Sequence, residues 1–306
     1  MIVKRRFTPR SMAPFVRFEL ILGAGSSTAA WLLVDEARLS EFILPAALAT
    51  VLGTALSILL AVRANTSYQR WWEGSAIWAQ IVGLSRTLIR VVVSVSDAKP
   101  NADPEAVREF QRDMARRQVA YATALRAQLR SHEHTELGRH LVEAERATIG
   151  AADNKAVVLL GLQSARIFTA YRDGLLAGLD NFQMESTLAA ISTQQALAER
   201  ISMQPVPRTY DVFSRYLVHL YTVVFPFSVV GSLVENRWLV IPATLIVAFA
   251  FRIVERIGSA VEFPFGNTTQ DVPLTAITTM LERDLLELIG EPDRPAFPAP
   301  KNGYLW

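Results

Sequence analysis

Residues 42 to 62 carry no ionisable side chain and are apolar at nearly every position. As an α-helix such a run crosses the hydrocarbon core of a bilayer, which takes roughly 20 residues. Pro45, near its start, is its one helix irregularity. Residues 18 to 34 are apolar apart from Glu19 and contain Trp31, a side chain suited to a membrane interface. They form the expected first span. Residues 217 to 234, with His219 and Pro226, are the expected third; the shorter run 238 to 251, flanked by Arg237 and Arg252, is the fourth. The links 35 to 41 and 235 to 237 are short, so the spans pair into two helical hairpins.

The pattern between these hairpins is that of water-soluble helices. Asp103-Pro104 makes an N-cap and first helical residue, and Val107, Phe110 and Met114 recur at helical spacing among Arg and Gln. No strand alternation stands out. From Glu291 the chain carries Pro292, Pro295, Pro298 and Pro300 and cannot continue a helix, so an irregular tail or a surface arm is expected. The fold class is therefore all-α: a polytopic membrane protein with four transmembrane helices and a helical cytosolic region. Its expected divisions are residues 1–74 (N-terminal segment and first hairpin), 75–212 (cytosolic helices), 213–256 (second hairpin) and 257–306 (C-terminal segment and Pro-rich tail).

Charge gives the orientation. Lys4, Arg5, Arg6, Arg10 and Arg17 precede the first span, which by the positive-inside rule puts that end, the middle segment and both termini in the cytoplasm. An inner-membrane protein with a retained first span, not a cleaved signal peptide, is the expectation. Across 306 residues, 31 basic and 29 acidic side chains nearly cancel, which removes the electrostatic argument for a nucleic-acid partner. The chain has no Cys, which excludes disulfides, thiol catalysis and Cys-based zinc sites. No catalytic triad, phosphate-cradling Gly loop or HExxH motif is present, so no enzyme is expected.

Within residues 42 to 62, Thr54, Ile58 and Val62 are spaced by four and share one helical face, while Gly53 and Ser57 offer small surfaces on another. By periodicity this is a lipid-facing or packing stripe; a narrow apolar ring in an oligomeric pore would need the same face turned inward. The segment from Arg63 to Glu73, followed by Trp78, reads as an aromatic and cationic interfacial belt, though paired Trp71 and Trp72 between Arg70 and Glu73 are unusual for one. His132, His134 and His140 with Glu133 and Glu136 are the metal-like cluster. On a helix, His-x-His rings point about 200° apart, so this reads as a solvated helix end and no metal is expected. His219 is ionisable within a span and so is a functional candidate, the plainer use being a hydrogen bond to a neighbouring helix.

The run Arg63, Asn65, Ser67, Tyr68, Arg70, Trp71, Trp72, Glu73 directly after an apolar span resembles the bestrophin family, in particular its bacterial branch. Pro264-Phe265-Gly266 after the last span is a second match, and Glu199-Arg200-Ile201 with Pro205 and Pro207 a looser third. The resemblance implies a homopentamer in the lipid bilayer with one central pore. It places the neck at Thr54, Ile58 and Val62 and a lower constriction at Leu179, with Asp173, Asp180 and Glu185 nearby. Animal members bind calcium through an acidic cluster after Pro-Phe-Gly; here Asn267-Thr268-Thr269-Gln270-Asp271 offers one carboxylate, where a hard cation wants several oxygens. No cofactor is implied. The function implied is passive conduction of monovalent ions, chloride or another anion first. A sodium or potassium channel of the same fold is one alternative, and a membrane-anchored scaffold is another.

Overall fold

The computed structural model describes residues 9–99, 102–131, 137–204, 207–300 and 304. Lys4, Arg5, Arg6, His132, Glu133, His134, Glu136 and Pro205 lie outside the described residues, as do the side chains of Arg10 and Arg208. Every regular element among the described residues is helical: α1 (Pro9–Trp31), α2 (Ala46–Asp97), α3 (Pro104–Leu129), α4 (Glu143–Gly150), α5 (Lys155–Arg172), α6 (Gly178–Met203), α7 (Arg208–Val229), α8 (Val240–Ala260) and α9 (Leu274–Leu288). The chain divides into two compact units, residues 4–71 with 205–263 and residues 1–3, 72–204 and 264–306.

In the first unit, α1 packs on α7 and α8. A Cβ at Gly23 would make ordinary contact, 3.4 Å from Thr222 and 3.5 Å from Ala248, and Ser26 Oγ crosses to donate to the Thr222 carbonyl at 3.1 Å. Leu56 and Leu60 of α2 bury against Val218 and Tyr221 of α7. The hairpin ends meet where Arg237 donates to the Val34 carbonyl and pairs with Asp35 at 3.2 Å. Among the described residues, three segments are long and apolar enough to cross a membrane: Ser40–Asp97, Thr209–Ser232 and Arg237–Ala260. The stretch 18 to 34 is helical but is diluted by Glu19, Gly23, Gly25, Ser26 and Ser27.

Two boundaries differ from the sequence reading. The short run 238 to 251 opens in a 3₁₀ turn, Arg237–Leu239, and goes on as α8, which continues past Arg252 to Ala260 because Arg252 and Glu255 pair with each other at 2.8 Å and do not interrupt the helix. Of residues 42 to 62, those from Ala46 on are only the beginning of α2, which starts just after Pro45; its 52 residues contain no Pro and it stops at Asp97, shortly before Pro100.

The second unit is built round α3. Asp103 caps it, accepting from Glu105 N at 3.1 Å with Pro104 following, and Phe110, Met114, Tyr121 and Leu125 are fully buried. A polar chain threads this core: Gln163 donates to Gln118 at 3.0 Å and Gln118 to Ser85 at 2.7 Å. Both bonds are donated by amide NH2 groups, so each buried donor group finds a partner in the chain. Residues 291–300 have no regular structure; Arg112 holds Glu291 at 3.1 Å, and Arg283 lies over the Phe297 ring.

Candidate functional site

Helix α2 separates its faces cleanly. Ala49, Gly53, Leu56, Leu60, Arg63 and Ser67 are buried at intervals of three and four, while Thr54, Ile58 and Val62 are exposed, Ile58 at 62% and Val62 at 59%. Leu56 and Leu60 each lie two residues from Ile58, or about 200° round the helix, so Ile58 sits opposite the packed face. Gly53 is required on that face: a Cβ there would be 2.7 Å from the Tyr221 hydroxyl oxygen. The exposed hydroxyls are turned back on the helix, Thr54 Oγ1 donating to the Thr50 carbonyl at 2.8 Å and Thr66 Oγ1 to the Val62 carbonyl at 3.0 Å.

The packed face ends in a charge cluster. Arg63 is buried, not solvated as an interfacial belt residue would be. Its guanidinium donates to Asp211, to Ser214, to Ser259 Oγ at 2.8 Å and to Glu255 Oε1 at 3.2 Å, with Glu262 Oε2 at 3.5 Å. Arg215 also pairs with Asp211, at 2.8 Å. The planar fork of an arginine carries five donors against the three of a lysine, which suits it to several acceptors at once. Burial pushes the Glu262 carboxyl above its usual range; Arg63 pulls it back and neighbouring Asp211 pushes it further up. On the same helices, Arg252 Nε lies 3.3 Å from Glu19 Oε2, and His219 Nδ1 is 3.3 Å from Glu19 Oε1.

Sequence reasoning singled out Arg63 and His219 but missed Asp211, Glu255, Glu262 and the part played by Glu19. The signal was there: Glu255, Ser259 and Glu262 fall at i, i+4 and i+7, one face of α8 continued just past its end.

The rest of the motif divides between the units. Trp71 stacks on Tyr68, ring centroids 6.2 Å apart, and both Tyr68 and Asn65 are exposed. Arg70 is half-buried, Trp72 is exposed, and Trp78 is fully buried. In the second unit, Glu73 is bonded by Arg200, which joins the first and third motifs. Gly74 packs against the second: a Cβ there would stand 3.1 Å from Phe265 and 3.2 Å from Pro264, and Phe265 is buried. Glu199 Oε1 accepts amides from Gln195 at 2.8 Å, Asn154 at 2.9 Å and Gln128 at 3.0 Å.

After Pro264-Phe265-Gly266 the chain turns through Asn267 at a φ of 63°. Asp271 closes this turn with both oxygens, accepting from Thr268 N at 2.6 Å and Thr268 Oγ1 at 2.7 Å. Leu179, in the first turn of α6, is 83% exposed. Asp180 accepts from Ala177 N at 2.7 Å and so caps that helix; Asp173 is exposed and Glu185 half-buried. His140 lies 3.7 Å from Glu282, and among the described residues no group of three or more His, Asp or Glu is placed to hold a metal.

The sequence matches the family model described as Bacterial/Fungal Bestrophin protein over residues 6–287. The voltage-dependent anion channel-forming protein YneE of Escherichia coli (strain K12) is 29% identical over 256 residues, 83% of this chain and 80% of that protein. The voltage-dependent anion channel-forming protein sll1024 of Synechocystis is 28% identical over 257 residues, covering 82% and 80%. A crystal structure of a bacterial bestrophin homolog from Klebsiella pneumoniae superposes with a TM-score of 0.81 over 91% of this chain and all of that one. At 24% identity that likeness concerns the fold.

Proposed function

The chain belongs to the bacterial and fungal bestrophin family, and from that premise we propose that it is a homopentameric ion channel passing anions passively, without catalysis or cofactor. The observation that carries the reading is the exposed stripe Thr54, Ile58 and Val62, uncharged and opposite the packed face of a membrane-crossing helix. Five such stripes round an axis make a narrow apolar neck, which gates by excluding water. Leu179 supplies a lower constriction. The relatives' designation as anion channel-forming proteins favours anions.

In this reading α1 is a fourth span, the protein lies in the inner membrane, and both termini face the cytoplasm. Asp271, with its oxygens committed to its own turn, leaves no acidic clasp, so opening is independent of calcium. One observation favours monovalent cations instead: the Thr54 hydroxyl donates to its own helix and turns lone pairs outward, where a cation is the better partner.

Purified protein reconstituted in planar bilayers under a potassium chloride gradient decides. An anion channel reverses near the chloride equilibrium potential. Reversal near the potassium value refutes the anion assignment, and a monomer in detergent without conductance refutes the channel.

A further inference from the structure

Glu19 stands apart from the other carboxylates of its unit because it is wholly buried and neither of its oxygens accepts a hydrogen bond of good geometry among the described residues. Each oxygen instead faces one nitrogen at 3.3 Å, Oε1 facing His219 Nδ1 and Oε2 facing Arg252 Nε. An ionised carboxylate can only accept, so in that form its contact with Nδ1 is attractive only when the nitrogen carries a proton. The neutral ring meets this with its single proton; the imidazolium meets it and keeps a second for Nε2. His219 is partly exposed, so its ring is the point where a proton enters or leaves. The Phe18 ring stands edge-on to it at 5.1 Å and covers one side.

The pair belongs to a larger network of charges. Facing it or linked to it are the guanidiniums of Arg252, Arg215 and Arg63. Against these three stand four carboxylates: Glu19, then Glu255 on Arg252, then Asp211 and Glu262 on Arg63. Arg17 of α1 and Arg256 of α8 are exposed and solvated, Arg256 lying over the Phe15 ring. Arg70 also acts on Glu262, so four guanidiniums meet four carboxylates while the His219 ring is neutral, and a proton taken up by the ring adds one positive charge to the network. Of the side chains in the cluster, only imidazole ordinarily changes charge between pH 5 and 8.

We propose that Glu19 and His219 form a binding site for a single proton inside the membrane-spanning unit, and that its occupancy sets the charge of the network holding Arg63. The route is short: Glu19 to Arg252 at 3.3 Å, Arg252 to Glu255 at 2.8 Å, Glu255 to Arg63 at 3.2 Å. Arg63 follows Val62 on α2, so protonation changes the grip on the helix that carries the exposed stripe. The site does not depend on whether the chain conducts.

The test uses full-length protein in nanodiscs of phosphatidylethanolamine and phosphatidylglycerol. Melting temperature is followed from pH 5 to 8 for wild type, His219→Gln, Glu262→Gln and His140→Gln. The expected result is a pH-dependent step in wild type, Glu262→Gln and His140→Gln that is lost in His219→Gln. A second measurement keeps the proposal testable where a variant fails to assemble: the imidazole nitrogen resonances of wild type are followed over the same range, Glu19→Gln being expected to move the His219 midpoint by about one pH unit or more. The proposal is overturned by a step that survives His219→Gln, by a step that vanishes in Glu262→Gln, by a His219 resonance that does not change over this range, or by the same His219 midpoint in Glu19→Gln.

Discussion

Replacing Arg63 by Met tests the structure at its most highly connected side chain. Met roughly preserves the aliphatic stem but removes a guanidinium serving Asp211, Glu255, Glu262, Ser214 and Ser259. Two of the carboxylates keep a second cation, Asp211 with Arg215 and Glu255 with Arg252, both at 2.8 Å. Glu262 relies on Arg63 most, and it is nearly buried. Breaking a buried pair by removing one partner costs about 3–5 kcal/mol. Because two partners are compensated, we expect about 3 kcal/mol, the lower end of that range. In a domain of 150–250 residues each kcal/mol is worth about 2–4 °C, so the fall should be roughly 6–12 °C. Glu262→Gln in the Arg63→Met background should restore a good part of it, because the carboxylate that relied most on Arg63, with Arg70 as its weaker second cation, is then gone. The assay is thermal unfolding of detergent-solubilised protein followed by tryptophan fluorescence, run as a double-mutant cycle. Melting of Arg63→Met within about 2 °C of wild type, a shift below 1 kcal/mol, would refute the reasoning. So would strict additivity of the two substitutions.

Ile58→Ala should raise single-channel or macroscopic current if that side chain narrows the neck, whereas unchanged current with altered stability would place Ile58 against lipid. Gly53→Ala drives a methyl group into the Tyr221 hydroxyl and should cost about 1–3 kcal/mol in thermal melting. Tyr221→Phe should recover part of that cost and none if the contact is not the cause. Tyr121 is held protonated above its ordinary range, by burial first and by Glu199 second. Above about pH 10 the unfolded chain releases this proton while the folded chain keeps it, so stability falls as pH rises. Tyr121→Phe should flatten the alkaline loss measured by melting between pH 9 and 11, and an unchanged slope would exclude Tyr121 as its source.

The apolar runs were legible because lipid demands them: an uncharged stretch of about 20 residues has few other uses, and α2, α7 and α8 all appear where such runs stand. Their ends were not. Arg252 and Glu255 look like a stop signal in one dimension and become a helix interior once each finds a partner, a fact of three-dimensional pairing. The length of α2 was hidden for a related reason, since the change from apolar to mixed composition at Arg63 alters the surroundings of the helix without breaking it. The motif from Arg63 to Glu73 was visible as residues but not as contacts. Nothing in its spacing says that Arg63 turns inward to Asp211 while Glu73, on the same helix, bonds Arg200.

The unbroken course of α2 constrains how related chains can vary in length. From Val62 to Glu73 is eleven residues, which at 100° per residue is three turns of helix to within about 20°. Deleting one residue in that interval rotates everything beyond it by about 100°, so Arg63 and Glu73 cannot both keep their azimuths. Deleting seven changes the phase by only about 20° and shortens the rod by about 10 Å. Insertions and deletions here are therefore tolerable in whole turns only, and an aligned relative with a single-residue gap between these positions would have to interrupt its helix with a bulge to absorb it.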